Sequence, residues 1–131
     1  RAAASGGEVV GRLFAGDASE EGEAAAPQLR VGPLALDRQA QVALVAAGAG
    51  QRRAALTSSE VRLLALLMER PGRVLSCRDL AREALGYNVV EAEAVEIVRP
   101  HISRLRQKLE PDPLQRRLIR TVRGQGYLFS P

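Results

Sequence analysis

The most regular pattern of apolar and polar positions lies in the stretch from 98 to 109. Its apolar residues recur in steps of four, three and four, which predicts one face of an amphipathic helix: Val98, Ile102, Leu105 and Leu109. The opposite face is mostly polar and carries Arg99, Pro100, Ser103, Arg104 and Gln107, with Arg106 and Lys108 on the flanks. Arginine, serine and glutamine suit base edges and phosphates in a major groove. An ordinary solvated surface helix has the same pattern, so this stretch alone leaves both interpretations open.

A first helix is predicted to begin after Thr57, because a threonine followed three residues later by Glu60 forms a capping box. Apolar residues then cover a wide helical face from 61 to 68, which indicates burial on two sides. The Pro71-Gly72 pair ends this helix.

A second helix is predicted after Ser76, with Asp79 completing a variant of the capping box and Gly86 as the stop. Cys77 falls in its first turn, where the helix dipole is expected to lower the thiol pKa. Redox chemistry is nevertheless disfavoured, because the sequence has no second cysteine to resolve a disulfide.

The connection to the third helix is predicted to run from 87 to 92, since Glu91, Glu93 and Glu96 suit a helix N-terminus. Pro100 complicates the start of that helix. A proline in a helix interior costs about 3 kcal/mol, but little in the first turn. Two alternatives follow: the helix starts near Glu96, or a longer helix starts near Glu91 and bends at Pro100.

Short apolar runs separated by turn residues predict a small antiparallel meander before the helices, with strands at 29–31, 34–36, 42–46 and 53–56. After the third helix, the Glu110-to-Pro113 segment is a stop, and two further strands are predicted at 117–122 and 126–129. Arg123 lies in the Arg-Gly-Gln-Gly turn that joins these two strands, where glycine permits a positive φ.

Charge is distributed unevenly along the 131 residues, although the net charge is only +4. Residues 1–27 carry −3 and are rich in Ala, Gly, Ser and Glu, which predicts a linker or flexible tail. Residues 28–131 hold 17 basic and 10 acidic side chains, hence +7, and 97–131 alone carry +6. A basic C-terminal third fits a polyanionic partner, although a solvated charged face remains an alternative.

The supply of reactive side chains limits the chemistry. One cysteine, Cys77, rules out an intrachain disulfide and a cysteine-cluster zinc site, and one histidine, His101, rules out a His-rich metal site. We therefore expect no cofactor, no metal and no enzyme activity. We also expect a reducing, cytoplasmic compartment and no membrane span. The absence of an initiator methionine predicts a fragment or a processed product.

Three helices with a basic third one, followed by a hairpin with an arginine at its tip, predict a winged helix-turn-helix of the α+β class. Three segments, LTSSEVRLLALLMERPGRVLSCRDL, HISRLRQKLEPDP and LIRTVRGQGYLF, closely resemble the DNA-binding effector domain of OmpR/PhoB-type bacterial response regulators. The resemblance covers about 29–131. It implies a four-stranded N-terminal sheet, a three-helix core, a C-terminal wing and sequence-specific binding to double-stranded promoter DNA.

The same resemblance implies a role for individual residues: base readout by Arg99, Ser103 and Arg104, phosphate contacts by Arg106 and Thr121, and a minor-groove contact by Arg123. For Thr121, plain strand propensity is the simpler alternative. The resemblance further implies a homodimer on tandem half-sites, and contact with RNA polymerase through the 87–93 loop.

The chain departs from the family pattern at Pro100 and at Leu85, where an aromatic is common. No phosphoacceptor site of a receiver domain is visible, since the sole lysine is Lys108. We therefore expect either an effector domain whose switch lies in another segment or protein, or a related regulator without a receiver. A winged helix used for protein contact is the competing interpretation. It is disfavoured because the outward residues are arginines rather than exposed Leu, Phe or Tyr.

Overall fold

The computed structural model describes residues 28–131, so the predicted linker or tail lies outside the described residues. The strands are β1 (Gln28–Val31), β2 (Leu34–Asp37), β3 (Val42–Ala47), β4 (Gly50–Ala55), β5 (Ile119–Val122) and β6 (Gly126–Phe129). The helices are α1 (Ser58–Glu69), α2 (Cys77–Leu85) and α3 (Glu91–Leu109), followed by a short 3-10 turn at Pro113–Gln115. This is the winged helix-turn-helix plan that the order of predicted elements indicated.

The first four strands form an antiparallel sheet in the order β1-β2-β3-β4, as the alternating runs predicted. The fourth strand starts earlier than predicted, at Gly50 rather than Arg53, because Ala47 pairs with Gly50 across a tight turn. Gly48 adopts φ +56° in that turn, a conformation that favours glycine. Leu34, Ala35, Leu36 and Val45 are buried, and the two leucines and the valine belong to the same core cluster as the apolar residues of the helices.

The capping box predicted for α1 is confirmed. The Thr57 hydroxyl accepts from the Glu60 N–H at 3.2 Å, and the Glu60 carboxylate accepts from the Thr57 N–H at 2.9 Å. The helix ends before the Pro71-Gly72 pair, as predicted. Its wide apolar face is buried almost completely because α1 packs against α2 and α3 on one side and against the strands on the other.

In α2, two of the predictions need correction. The Ser76 hydroxyl caps the Asp79 N–H, but the Asp79 carboxylate accepts from Arg82 at 2.8 Å instead of completing a reciprocal box. Cys77 is buried, and burial, together with the nearby Glu91 carboxylate, raises the pKa of its thiol. The expected thiol activation by the helix dipole is therefore wrong. Gly86 ends the helix in the left-handed conformation, φ +80°, as predicted.

Of the two alternatives for α3, the structure has the longer helix, which starts at Glu91 and contains Pro100 in its interior. The connection is therefore shorter than the predicted 87–92, because Glu91 and Ala92 already belong to α3. Pro100 cannot donate to the Glu96 carbonyl, but both residues lie on the exposed side of the helix. Water can hydrate that carbonyl, which makes an interior proline tolerable here. In the part of the chain that the structure describes, no helix is long and apolar enough to cross a bilayer.

An ion pair between a buried carboxylate and a half-buried lysine joins α1 to the C-terminal end of α3. Glu60 is only 1% exposed, and its carboxylate accepts from the Lys108 ammonium at 2.7 Å. Arg52 on β4 donates to the Lys108 carbonyl at 2.9 Å, which brings the sheet to the same point. Burial opposes the charge on Glu60, but the hydrogen bonds from Lys108 and Thr57 and the Lys108 charge outweigh it and lower the pKa of Glu60.

We expect Lys108→Met to destabilise the fold by roughly 1–3 kcal/mol at pH 7, because it leaves a buried carboxylate without its cation. The matched control, Arg38→Met, breaks the exposed Arg38–Glu69 pair and should cost under about 1 kcal/mol. Urea denaturation of each variant measures the change in the free energy of unfolding.

The difference in the free energy of unfolding between Lys108→Met and Arg38→Met should depend on pH. The lowered folded-state pKa of Glu60 means that the pair stabilises the fold above the ordinary glutamate pKa of about 4.3 and stops doing so as the pH falls through the folded value. The penalty of Lys108→Met should therefore shrink under acid conditions. A penalty that is equal at pH 7 and pH 3.5 would contradict this account of the ion pair.

Candidate nucleic-acid interface

The polar face of α3 is solvent-exposed, as the amphipathic pattern predicted. Arg99, Ser103 and Arg104 are exposed, whereas Val98, Ile102 and Leu105, each adjacent to one of them in sequence, are buried. The structure therefore brings the three residues predicted to read bases onto the outer side of one continuous helix. A helix of this diameter, with its apolar side fixed to the protein, has the shape that a major groove admits.

Arg106 lies on the flank of α3 and is half-buried against the C-terminal hairpin. Its guanidinium donates to the Ile119 carbonyl from Nε at 3.2 Å and from Nη2 at 2.9 Å, and to the Thr121 hydroxyl at 2.7 Å. It also lies over the Tyr127 ring, 5.5 Å from the centroid. Burial is the main cause that lowers the pKa of Arg106, and the positive charge of Arg116 adds to it. Sequence reasoning did not predict that this arginine ties α3 to β5.

The wing is the hairpin β5–β6, residues 119–129. Its turn closes through the Gln125 N–H, which donates to the Val122 carbonyl at 2.9 Å, and Arg123 is exposed at the tip. Gly124 adopts φ +75° there, which explains the glycine beside the arginine. The predicted hairpin is thus confirmed, although β5 starts at Ile119 rather than Arg117.

The wing is attached to the helical core by a two-residue β-bridge. Leu75 and Tyr127 exchange both backbone hydrogen bonds, at 2.8 and 2.9 Å. This close approach requires Gly126, because a Cβ there would overlap the Leu75 carbonyl and contact Ser76. The bridge fixes the base of the wing against the segment just before α2, so it sets the direction in which Arg123 projects.

The α2–α3 connection presents an exposed apolar surface next to an acidic one. Tyr87 is 51% exposed and Val90 63% exposed, and the exposed Glu93 follows in the first turn of α3. The Glu91 carboxylate accepts from the Arg78 N–H at 3.1 Å, which links the start of α3 to the first turn of α2.

Sequence reasoning missed an open cavity of about 370 Å³ between α3 and the wing. It is lined by Arg106, Arg116, Ile119, Arg120 and Thr121. Arg116 and Arg120 were counted only in the overall charge. The Arg116-Arg117 pair was the one available signal, and without the fold nothing indicated which of the two faces Arg106.

A family model described as "Transcriptional regulatory protein, C terminal" matches residues 50–129, which include all the helices and the wing. Among curated proteins, the chain is 47% identical over 75 residues to the probable transcriptional regulator ycf27 of Guillardia theta. It is 44% identical over 75 residues to the DNA-binding dual master transcriptional regulator RpaA of Synechocystis sp.. Each match covers 57% of this chain and 30% of the relative, so the chain corresponds to less than a third of those proteins.

Solved structures extend the likeness to the N-terminal sheet. The DNA-binding domain of CpxR from E. coli is 35% identical, with a TM-score of 0.61 over 79% of this chain and 96% of that one. The RstA DNA-binding domain of Klebsiella pneumoniae, solved in complex with the RstA box, is 28% identical, with a TM-score of 0.64 over 79% and 97%.

We expect Gly126→Ala to destabilise the fold by at least about 2 kcal/mol, since the new Cβ must push the wing away from Leu75 and φ at this position is +148°. Gly124→Ala is the matched control. It also has a positive φ but meets open space, so it should cost only about 1 kcal/mol. Urea denaturation gives both values, and hydrogen exchange at the Leu75 and Tyr127 amides reports whether the bridge has opened. Equal costs and unchanged exchange would show that the bridge does not hold the wing.

Proposed function

The chain belongs to the family of C-terminal domains of transcriptional regulatory proteins, and we propose that it binds promoter DNA in a sequence-specific manner, with α3 in the major groove and the wing in the adjacent minor groove. It acts as the effector domain of a response regulator or of a related regulator without a receiver. Because the promoter DNA of a bacterium lies in its cytoplasm, we expect the protein to act there.

The observation that carries the proposal is the pairing of two exposed arginine sites on one rigid frame. Arg104 projects from α3, and Arg123 projects from the tip of the wing. Arg106 ties this hairpin to α3, and the Leu75 bridge ties it to the segment before α2. A helix with an outward arginine and a neighbouring hairpin with an arginine at its tip match the geometry of a duplex. One element can then enter each of two adjacent grooves. RstA, which shares the fold at 28% identity, was solved with its DNA box.

The base-reading set is Arg99, Ser103 and Arg104, because these side chains are exposed on α3 and have groups that bond base edges. Thr121 and Arg106 serve the phosphate backbone. For Arg106 the proposal adds a second role: its Nε and Nη2 hold β5, so it also positions the wing. Arg123 serves the minor groove, whose negative potential is strongest where the groove is narrow.

The alternative function is binding to another protein. For such binding, the α2–α3 connection is a better candidate surface than α3. The exposed side of α3 is polar and cationic, which is unlike the apolar centre of a protein interface. Tyr87 and Val90 in the α2–α3 connection are apolar and exposed beside Glu93. We assign contact with RNA polymerase to this 87–93 segment, as an addition to DNA binding rather than a replacement for it.

Arg104→Ala and Arg123→Ala should have different effects on DNA binding. Arg104 can pair bidentately with guanine O6 and N7, so its loss should cost roughly 1–3 kcal/mol on the best site and relax preference at one base pair. Arg123 faces a groove with a degenerate pattern of donors and acceptors. Its loss should lower affinity and weaken selection for A·T-rich flanks, with little change in core preference.

The measurement is the binding of each variant to a panel of single-base site variants found by selection from random DNA, with folding checked by circular dichroism. If Arg104→Ala weakens all sites equally while Arg123→Ala changes the core preference, the assignment of helix and wing to the two grooves is wrong. If the unmodified protein selects no sequence, the proposed function itself fails.

Two copies are expected to occupy direct-repeat half-sites about one helical turn apart, because α3 of each copy then meets the same side of the duplex. The proposal of a tandem homodimer rests on the family to which the chain belongs. Footprinting on direct-repeat and inverted-repeat versions of the selected site distinguishes the arrangements. Protection of inverted repeats alone would refute the head-to-tail orientation.

A further inference from the structure

The cavity between α3 and the wing collects positive charge in one place. Two of its lining guanidiniums, those of Arg106 and Arg116, are half-buried, and the Thr121 hydroxyl lies at the same edge. The charge of Arg116 helps to lower the pKa of Arg106, so the two cations repel each other across the cavity. Between residues 28 and 131, the two acidic side chains nearest to Arg116 along the chain, Asp112 and Glu110, both accept hydrogen bonds from backbone N–H groups instead.

Glu110 holds the segment that carries Arg116 in a defined position. Its carboxylate accepts from the Arg117 N–H at 2.9 Å and from the Leu118 N–H at 3.0 Å. Its backbone carbonyl accepts from the Arg116 Nε at 2.9 Å. The hydrogen bond from Nε therefore holds the Arg116 side chain in one position, where it lines the cavity.

Both guanidiniums keep donors available. Arg106 uses Nε and Nη2 on Ile119 and Thr121, and Arg116 uses only Nε on Glu110. Among residues 28–131, no acceptor is bonded to the Nη1 group of Arg106 or to either Nη group of Arg116. Three terminal nitrogens with six N–H groups therefore remain at a cavity whose walls are cationic.

We propose that Arg106 and Arg116 form a two-arginine subsite that grips a single backbone phosphate of the bound duplex, with Arg116 as a contact that the family resemblance does not assign. This inference rests on the proposed DNA binding and deepens it. A phosphodiester oxygen pair accepts charge-assisted hydrogen bonds from guanidinium in a planar, bidentate manner. A bound phosphate also relieves the repulsion between the two cations. Because the site is at the junction of helix and wing, it fixes the register of both elements on the backbone without reading sequence.

The test compares Arg116→Gln with Arg117→Gln. The two arginines are adjacent and their loss changes the net charge equally, but Arg117 does not line the cavity. On the selected duplex, Arg116→Gln should lower affinity about tenfold at physiological salt and reduce the magnitude of the log–log salt slope by about 0.9. Arg117→Gln should reduce the slope by less than about 0.3, and neither variant should change base preference. Arg116→Lys, which keeps the charge, controls for folding and should recover most of the slope.

The phosphate can be located by replacing the backbone phosphates of the duplex one at a time with neutral methylphosphonates. One replacement should weaken binding of the unmodified protein about tenfold but leave binding of Arg116→Gln nearly unchanged. The inference is overturned if the unmodified protein binds its site but no position shows this coupling, or if the two glutamine variants have equal slopes. Failure of the unmodified protein to select any duplex would instead refute the proposed function.

Discussion

The complete burial of one side of α3 is the constraint on which the interface depends. Val98, Ile102, Leu105 and Leu109 are each at most 2% exposed, and each contributes roughly 1.5–3 kcal/mol through the apolar surface it removes from water. A helix held along its whole length by such a stripe cannot rotate about its axis without exposing it. The buried residues of this stripe therefore determine the direction in which Arg104 points.

Polar interactions then fix what the apolar stripe leaves free, namely the ends of the helix and the position of the wing. Lys108 connects the C-terminal turn of α3 to the buried Glu60, whose carboxylate also accepts from the N–H of Thr57, the N-cap residue of α1. Arg106, which is also in the last turn of α3, connects the helix to β5. Taking ionic groups out of water opposes the gain from pairing them, but at Glu60 the hydrogen bonds and the charge of Lys108 outweigh that cost. Both contacts also fix the position of one segment relative to another: Lys108 holds the end of α3 against α1, and Arg106 holds β5 against α3.

The arginines of the basic C-terminal third consequently differ in what they do, although they are alike in charge. Arg104 and Arg123 are exposed and keep their donors for a partner. Arg106 and Arg116 donate to backbone carbonyls of the protein with one edge and face a common cavity with the other. Guanidinium suits this double use because its five N–H groups point outward in a fixed plane. A lysine at either position would not offer two such edges.

Local sequence signals determined most of the architecture. The capping box at Thr57, the glycine stop at Gly86 and the period of the α3 stripe each rest on contacts within a few residues, so they predicted helices with nearly correct ends. The wing followed from two short strands and a glycine-rich turn. The start of α3 was left open, because the cost of Pro100 depends on whether the Glu96 carbonyl meets water or protein. Only the packed helix decides that.

Tertiary structure alone decided which charged side chains work together. Glu60 and Lys108 are 48 residues apart, and Arg106 meets Ile119 across the turn that follows α3. The periodicity of apolar residues does not predict such pairs, because each partner lies in a helix or strand that is predicted from its own neighbours in sequence. The same reason explains the wrong expectation for Cys77: its place in a helical turn favoured a low thiol pKa, but packing buried it, and burial opposes charge. The sequence determined the elements and their outward faces, and the fold determined the partners, because burial and proximity arise only when distant segments meet.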